Sequence, residues 1–247
     1  MLKSLPFLII TLVTLLTNSQ SYAQSDKFSA EGEFTNNCEG PAVDAEGNVY
    51  AVNFARDGTI AIVNKKGKTG FFVTLPKGST GNGIRFGDKN TFYVADFTGH
   101  NVLKVNLTTK AISVFAHEPK MNQPNDLAIT SNGMIFCSDP NWKESTGQVW
   151  LVTPEGKTSL VAENMGTTNG IEVSPDEKTL YVNETVQRTV WAFDLAPDGK
   201  LSNKRLLHQF PDGGLDGMRA DIKGNLYVTR HGVGEVAVLS PEGKLIH

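Results

Sequence analysis

The chain has 247 residues, with 23 Lys and Arg against 26 Asp and Glu for a formal net charge of −3, and 39% of its residues are hydrophobic. The basic residues are scattered rather than clustered, which excludes a phosphate-tracking surface and makes nucleic acid an unexpected partner. Two cysteines, Cys38 and Cys137, cannot build a dense disulfide framework; they read as two buried thiols, with one disulfide as the alternative in an oxidising compartment.

At the N-terminus Lys3 precedes an apolar run from Leu5 to Leu16, too short to span a bilayer. Polar residues and then Ser21-Tyr22-Ala23 follow, with small residues one and three positions before a cut at Ala23/Gln24. Residues 1–23 are therefore expected to be a signal peptide. The mature chain, 24–247, is expected to be a single soluble domain, periplasmic or secreted, with no membrane attachment after cleavage.

A repeat occupies the rest. Glu39-Gly-Pro-Ala-Val, Asn82-Gly-Ile-Arg-Phe, Asn125-Asp-Leu-Ala-Ile, Asn169-Gly-Ile-Glu-Val and Asp216-Gly-Met-Arg-Ala begin five copies, spaced 43, 43, 44 and 47 residues apart. Each copy continues into a turn rich in Gly, Asp, Asn or Lys, and then a strand with Tyr50, Tyr93, Phe136, Tyr181 or Tyr227 at the matching place. Third strands are expected at 60–63, 102–105, 149–152, 190–193 and 236–239, and outer strands at 71–75, 112–116, 159–162 and 205–210. Four short strands per repeat, rich in β-branched and aromatic residues and without a helical period, predict an all-β fold, a β-propeller of four-stranded blades. The chain as given reaches Gly243-Lys-Leu-Ile-His247 where the fifth outer strand is only beginning. The segment from Phe28 to Phe34 is expected to pair with the last blade and close the ring, unless an edge is left open where a sixth blade would stand.

In an up-and-down blade the first strands line the central channel, so Glu39, Asn82, Asn125, Asn169 and Asp216 should converge at one mouth. Three amides and two carboxylates, without His or Cys, make an all-oxygen nest suited to a hard cation such as Ca²⁺ rather than Zn²⁺. Asn, Asp and Glu acting merely as turn formers before each strand is the alternative. The loops between second and third strands should rim the same mouth, bringing Asp96, His100, Asp139, Trp142, Glu184, Arg230 and His231 near a substrate.

Glu-Gly-Pro at 39–41, Pro-Asn-Asp at 124–126, Asn-Gly-Ile at 169–171 and Asp-Gly-Met at 216–218, in this order, resemble the regucalcin/gluconolactonase family, itself related to diisopropyl-fluorophosphatase. The resemblance implies a six-bladed propeller, expected to be truncated here at the C-terminus, with a divalent metal, usually calcium, on the channel axis. It implies hydrolysis of lactones or, in the phosphatase branch, of phosphotriester-like substrates. Carried over position by position, it makes Glu39, Asn125, Asn169 and Asp216 the metal ligands, while Asn82 matches no ligand and is taken as channel-lining. The animal sugar-lactone branch has an arginine two residues before the amide matched by Asn125, where this chain has Gln123.

With such an ion in place, Asp216 is the candidate base or nucleophile and Glu39 a pure ligand. Asn82, Gln123, Trp142 and His231 are candidate pocket residues, Trp142 as an apolar lid and His231 as an auxiliary acid or base, although a solvated loop is the commoner place for either. The function expected is an exported, calcium-dependent hydrolase of the gluconolactonase type, a monomer acting on a small lactone or ester. A metal-stabilised binding propeller without turnover, or an inactive truncated relative, is the alternative.

Overall fold

The computed structural model describes residues 27–247, so the expected signal peptide lies outside the described residues. Nineteen strands and no helix are found among them. The first sheet holds β1 (Phe34–Val43), β2 (Val49–Phe54), β3 (Thr59–Val63) and β4 (Thr69–Thr74), and the second β5 (Gly81–Asp88), β6 (Thr91–Asp96), β7 (Asn101–Asn106) and β8 (Ile112–His117). The third holds β9 (Leu127–Ile129), β10 (Ile135–Asn141), β11 (Thr146–Val152) and β12 (Thr158–Met165). The fourth holds β13 (Thr168–Val173), β14 (Thr179–Glu184), β15 (Thr189–Leu195) and β16 (Leu201–Gln209). The fifth has β17 (Gly214–Ala220), β18 (Leu226–His231) and β19 (Glu235–Leu239), with Leu245 bridging to Leu239 where an outer strand would lie. All pairings are antiparallel between sequential strands, so each sheet is an up-and-down blade and the whole is a β-propeller.

The blades are pinned by their turns. Asp44 Oδ1 accepts the backbone N–H groups of Glu46 (3.0 Å) and Asn48 (2.8 Å), and Asp221 does the same for Lys223 (2.8 Å) and Asn225 (2.9 Å). These are Asx turns, in which the carboxylate replaces the ladder partner that the reversing chain loses.

Side chains alternate across each sheet, so a strand between two blades must be apolar on both faces. In β10, Ile135 and Cys137 pack with Ala95 and Val102 of the second blade, whereas Phe136 packs with Ile171 and Val182 of the fourth. Four such cores join blade one to two, two to three, three to four and four to five. Among the described residues no comparable core joins blade five to blade one. There the outward parity of β18 is open: its burial alternates strictly, with Tyr227 43% exposed beside Val236 of β19 at 52%. We call this junction the seam.

Two expectations are corrected here. Phe28 to Phe34 does not pair with the last blade: Phe34 pairs with Phe54 at the start of β1, the Glu33 carboxylate accepts from the Thr69 hydroxyl, and the Phe28 carbonyl lies against Gly67. Its own blade offers the nearer partner. Cys38 and Cys137 are both free, and Cys38 is exposed rather than buried because β1 turns it toward the seam.

Candidate functional site

Four of the five inner strands break register at the residue that begins the repeat: between Glu39 and Ala42, Gly81 and Ile84, Thr168 and Ile171, and Leu215 and Met218. Such a bulge bends the strand and re-aims the side chain at its head. Glycine follows the head residue in these four repeats, and in three of them it allows close approach between blades. A Cβ on Gly40 would fall on the Asn82 carbonyl, one on Gly83 would lie 2.9 Å from the Asn125 carbonyl, and one on Gly170 would strike the Asp216 carbonyl. Gly83 also donates its N–H to the Asn125 carbonyl at 2.7 Å. Each glycine thus lets one head residue stand beside the next around the axis. Gly217, at the seam, meets nothing within 4 Å.

The consequence is a ring. Glu39, Asn82, Asn125, Asn169 and Asp216 all line a mouth cavity of about 300 Å³, and the same five also line a second cavity of about 440 Å³ that opens at the seam. They form the waist between the two. Thr185 accepts from Asn169 Nδ2 at 3.1 Å and donates to the Leu215 carbonyl at 2.6 Å, which leaves Asn169 Oδ1 as the atom available to the ring. Asp216 Oδ1 accepts from the Gly217 N–H at 3.0 Å, leaving its second oxygen free. Asn183 ties the neighbouring backbones together, accepting from Gly170 N–H (3.0 Å) and donating to the Asp216 carbonyl (2.6 Å).

The ring carries two carboxylates at close quarters. Burial, then Asp216 and Asp126, push the Glu39 carboxyl up to about 7. The environment is short of positive charge, and a hard divalent cation among oxygen donors would supply it. Among the described residues no group of three His, Cys, Asp or Glu side chains could hold a metal, so any cation here would rely on the amides.

Trp142, Gln123 and His231 line the mouth cavity, together with Phe97, Thr185 and Leu215, which the sequence had not singled out. The other loop residues do not reach it, which corrects their placement. Asp96 is fully buried and accepts from Ser79 Oγ (2.8 Å) and Thr80 N–H (3.1 Å). Asp139 likewise accepts from the N–H groups of Asn122 (2.9 Å) and Gln123 (2.6 Å), and Glu184 from that of Gly166 (2.8 Å). Each carboxylate lies at or near the end of a second strand and anchors the chain that leads into its own blade's head residue. Arg230 is held by Asp212 (2.6 Å) and Glu235 (3.3 Å) over the Phe210 ring, and the His100 ring meets the Met121 carbonyl.

The SMP-30/gluconolactonase/LRE-like region matches residues 39–247, and the chain belongs to that family. Among its relatives, a gluconolactonase of Zymomonas mobilis is 29% identical over 189 residues, 67% of this chain and 52% of that protein. The chain therefore spans about half the length of that relative. Diisopropyl-fluorophosphatase of Loligo vulgaris is 27% identical, covering 83% of this chain and 75% of that protein. Among solved structures, a Xanthomonas campestris gluconolactonase superposes with a TM-score of 0.75 at 22% identity, covering 86% of this chain and 75% of that one. A calcium-binding regucalcin of Agrobacterium tumefaciens gives 0.73 at 20% identity, covering 85% and 72%. Both likenesses support the propeller fold.

Proposed function

We propose that the chain is a calcium-dependent hydrolase of lactones or similar esters, exported to the periplasm or beyond, with Glu39, Asn125, Asn169 and Asp216 holding the cation. The observation that carries this is the ring itself: two carboxylates and two amides, aligned by blade geometry, line one waist, and the Asn169 oxygen is freed by the hydrogen bond of its nitrogen to Thr185. Family membership and the gluconolactonase relative supply the reaction class.

A calcium ion held here would supply Lewis-acid polarisation of the substrate carbonyl. The rest falls to side chains. Asp216 lines both cavities, and its oxygen not engaged by Gly217 is the candidate to take a proton from water as it adds to the carbonyl carbon. Glu39, half-buried, contributes charge and a ligand oxygen. Trp142, Phe97 and Leu215 give the mouth an apolar wall, and Gln123 offers an amide where the sugar-lactone branch has an arginine. The substrate that suits this mouth is a small, modestly polar lactone rather than a polyhydroxylated one.

The test is hydrolysis of a lactone panel by the purified mature chain, followed with a pH indicator in calcium and in chelator. Calcium-dependent turnover supports the proposal, and its absence across the panel overturns it. The open seam favours one alternative, a binding propeller stabilised by calcium without turnover; a calcium-dependent rise in melting temperature with no hydrolysis would identify it. Sequencing the N-terminus of protein recovered outside the cytoplasm tests export, with Gln24 as the expected first residue.

A further inference from the structure

One storey beneath the ring lies a cluster of charged groups from the same inner strands. Arg85, Glu172 and Arg219 stand three residues after Asn82, Asn169 and Asp216, and Asp126 directly follows Asn125. Arg85 grips Asp126 with both nitrogens, at 3.0 and 3.1 Å, and reaches the Ile171 carbonyl at 3.1 Å and Glu172 at 3.4 Å. It therefore joins blades two, three and four, which their apolar cores already hold together.

Arg219 does something different. Its Nη1 lies 3.3 Å from Asp126 Oδ2 and donates to the Met218 carbonyl at 2.7 Å, while its Nη2 donates to the Pro41 carbonyl at 3.3 Å. One guanidinium thus touches blades three and one from its base on blade five. Pro41 is two residues from Glu39, Asp126 adjoins Asn125, and Arg219 itself is three residues from Asp216. The planar fork allows this, since its donors diverge in fixed directions that a single ammonium cannot match.

We propose that Arg219 is a clasp across the seam, a positioning residue that fixes the distance of Glu39 from Asp216 and Asn125 and thereby sets the cation affinity of the ring. The cation half of this rests on the function proposed above; the clasp itself does not. The physical reason is the contrast between junctions. At the four packed junctions a hydrophobic core joins the blades, and at three of them a glycine contact also fixes neighbouring head residues. At the seam no such core exists among the described residues and a Cβ on Gly217 would meet nothing within 4 Å, so a polar bridge at ring level carries the spacing. Because the Arg219 side chain is 38% exposed, its ion pair adds little to global stability. Its loss should be felt in ring geometry far more than in the melt.

Two measurements on the purified mature chain test this. In chelator, hydrogen exchange at the backbone amides of Glu39, Gly40, Ala42 and Val43 should quicken in Arg219→Ala, while exchange at β10 and β14 stays as in the unaltered protein. In calorimetric titration with Ca²⁺ alone, Arg219→Ala should weaken binding about tenfold or more, with a melting temperature in chelator within about 3 °C of the unaltered protein. Arg219→Lys should recover part of the affinity, and Arg205→Ala, which breaks an exposed pair with Asp194 on the outer edge, should recover nothing because it loses nothing. Unchanged affinity in Arg219→Ala overturns the positioning role, and unchanged exchange at the amides of Glu39, Gly40, Ala42 and Val43 overturns the clasp. If the unaltered protein binds no Ca²⁺, the cation reading fails, and the exchange comparison decides the clasp by itself.

Discussion

The packed junctions on either side of blade four and the seam between blades five and one are built from equivalent strands, yet they behave as different materials. In β14 every residue after the first is buried, because blades press on both faces; in β18 every second residue faces outward. Gly170 is jammed against the Asp216 carbonyl, whereas its counterpart Gly217 is free. The same repeat thus gives a rigid joint where a neighbour is present and a polar bridge where it is not. The ring straddles both, so its ligands are held firmly on one side and by Arg219 on the other.

The largest effect should fall on the ring residue beside the seam. At saturating calcium, Asp216→Asn is expected to lower turnover by about 10²–10⁴-fold, the range for a lost general base. Glu39→Gln should instead raise the calcium needed for half-maximal activity. Near-full turnover in Asp216→Asn would move the base to another group. Saturation matters, since a weakened metal site otherwise imitates lost chemistry.

The two regions should also differ in the cost of removing an aromatic at the matching place of the repeat. Phe136→Ala, in the packed core, is expected to cost about 3–5 kcal/mol in denaturant unfolding. Tyr227→Ala, on the open face, should cost under about 1 kcal/mol. Equal losses would mean that the seam is covered in solution. Smaller again is the glycine pair. Gly170→Ala must push back a backbone carbonyl and the Asn183 amide, for about 1–3 kcal/mol and a melting temperature lower by about 2–12 °C. Gly217→Ala should shift it by no more than about 2 °C.

The finest test is pH. Burial lifts Glu172 to about 7, with Arg85 opposing, and Glu39 is lifted to about 7 as well. Folded protein therefore binds more protons than unfolded protein between the ordinary glutamate range and pH 7, so stability falls as pH rises through that window. The metal-free chain should melt higher at pH 5 than at pH 8. Calcium should raise the melting temperature at pH 8 and narrow the gap, since a cation in the ring removes the Glu39 share. A gap unchanged by calcium would place the cation elsewhere.

Much of this molecule is local, and local features were legible in the residues. Strand parity, the Gly- and Asn-rich turns and the recurring head residues follow from alternation and turn chemistry within a few positions, which is why the blades were legible in the sequence. The partners of Asp96, Asp139 and Glu184 could not. These side chains sit where loop residues rim a mouth, but the chain approaching each head residue passes close enough to offer its amides, and burial commits them to that task. Nor could the sequence show that Arg85, Asp126, Glu172 and Arg219 meet: Asp126 and Arg219 alone are 93 positions apart, and only the bulge and twist of the inner strands bring the four to one level. The amino-acid order alone determined what each blade is. The tertiary structure decided which blades touch, because contact between sheets depends on how the whole ring curves and on nothing a single repeat contains.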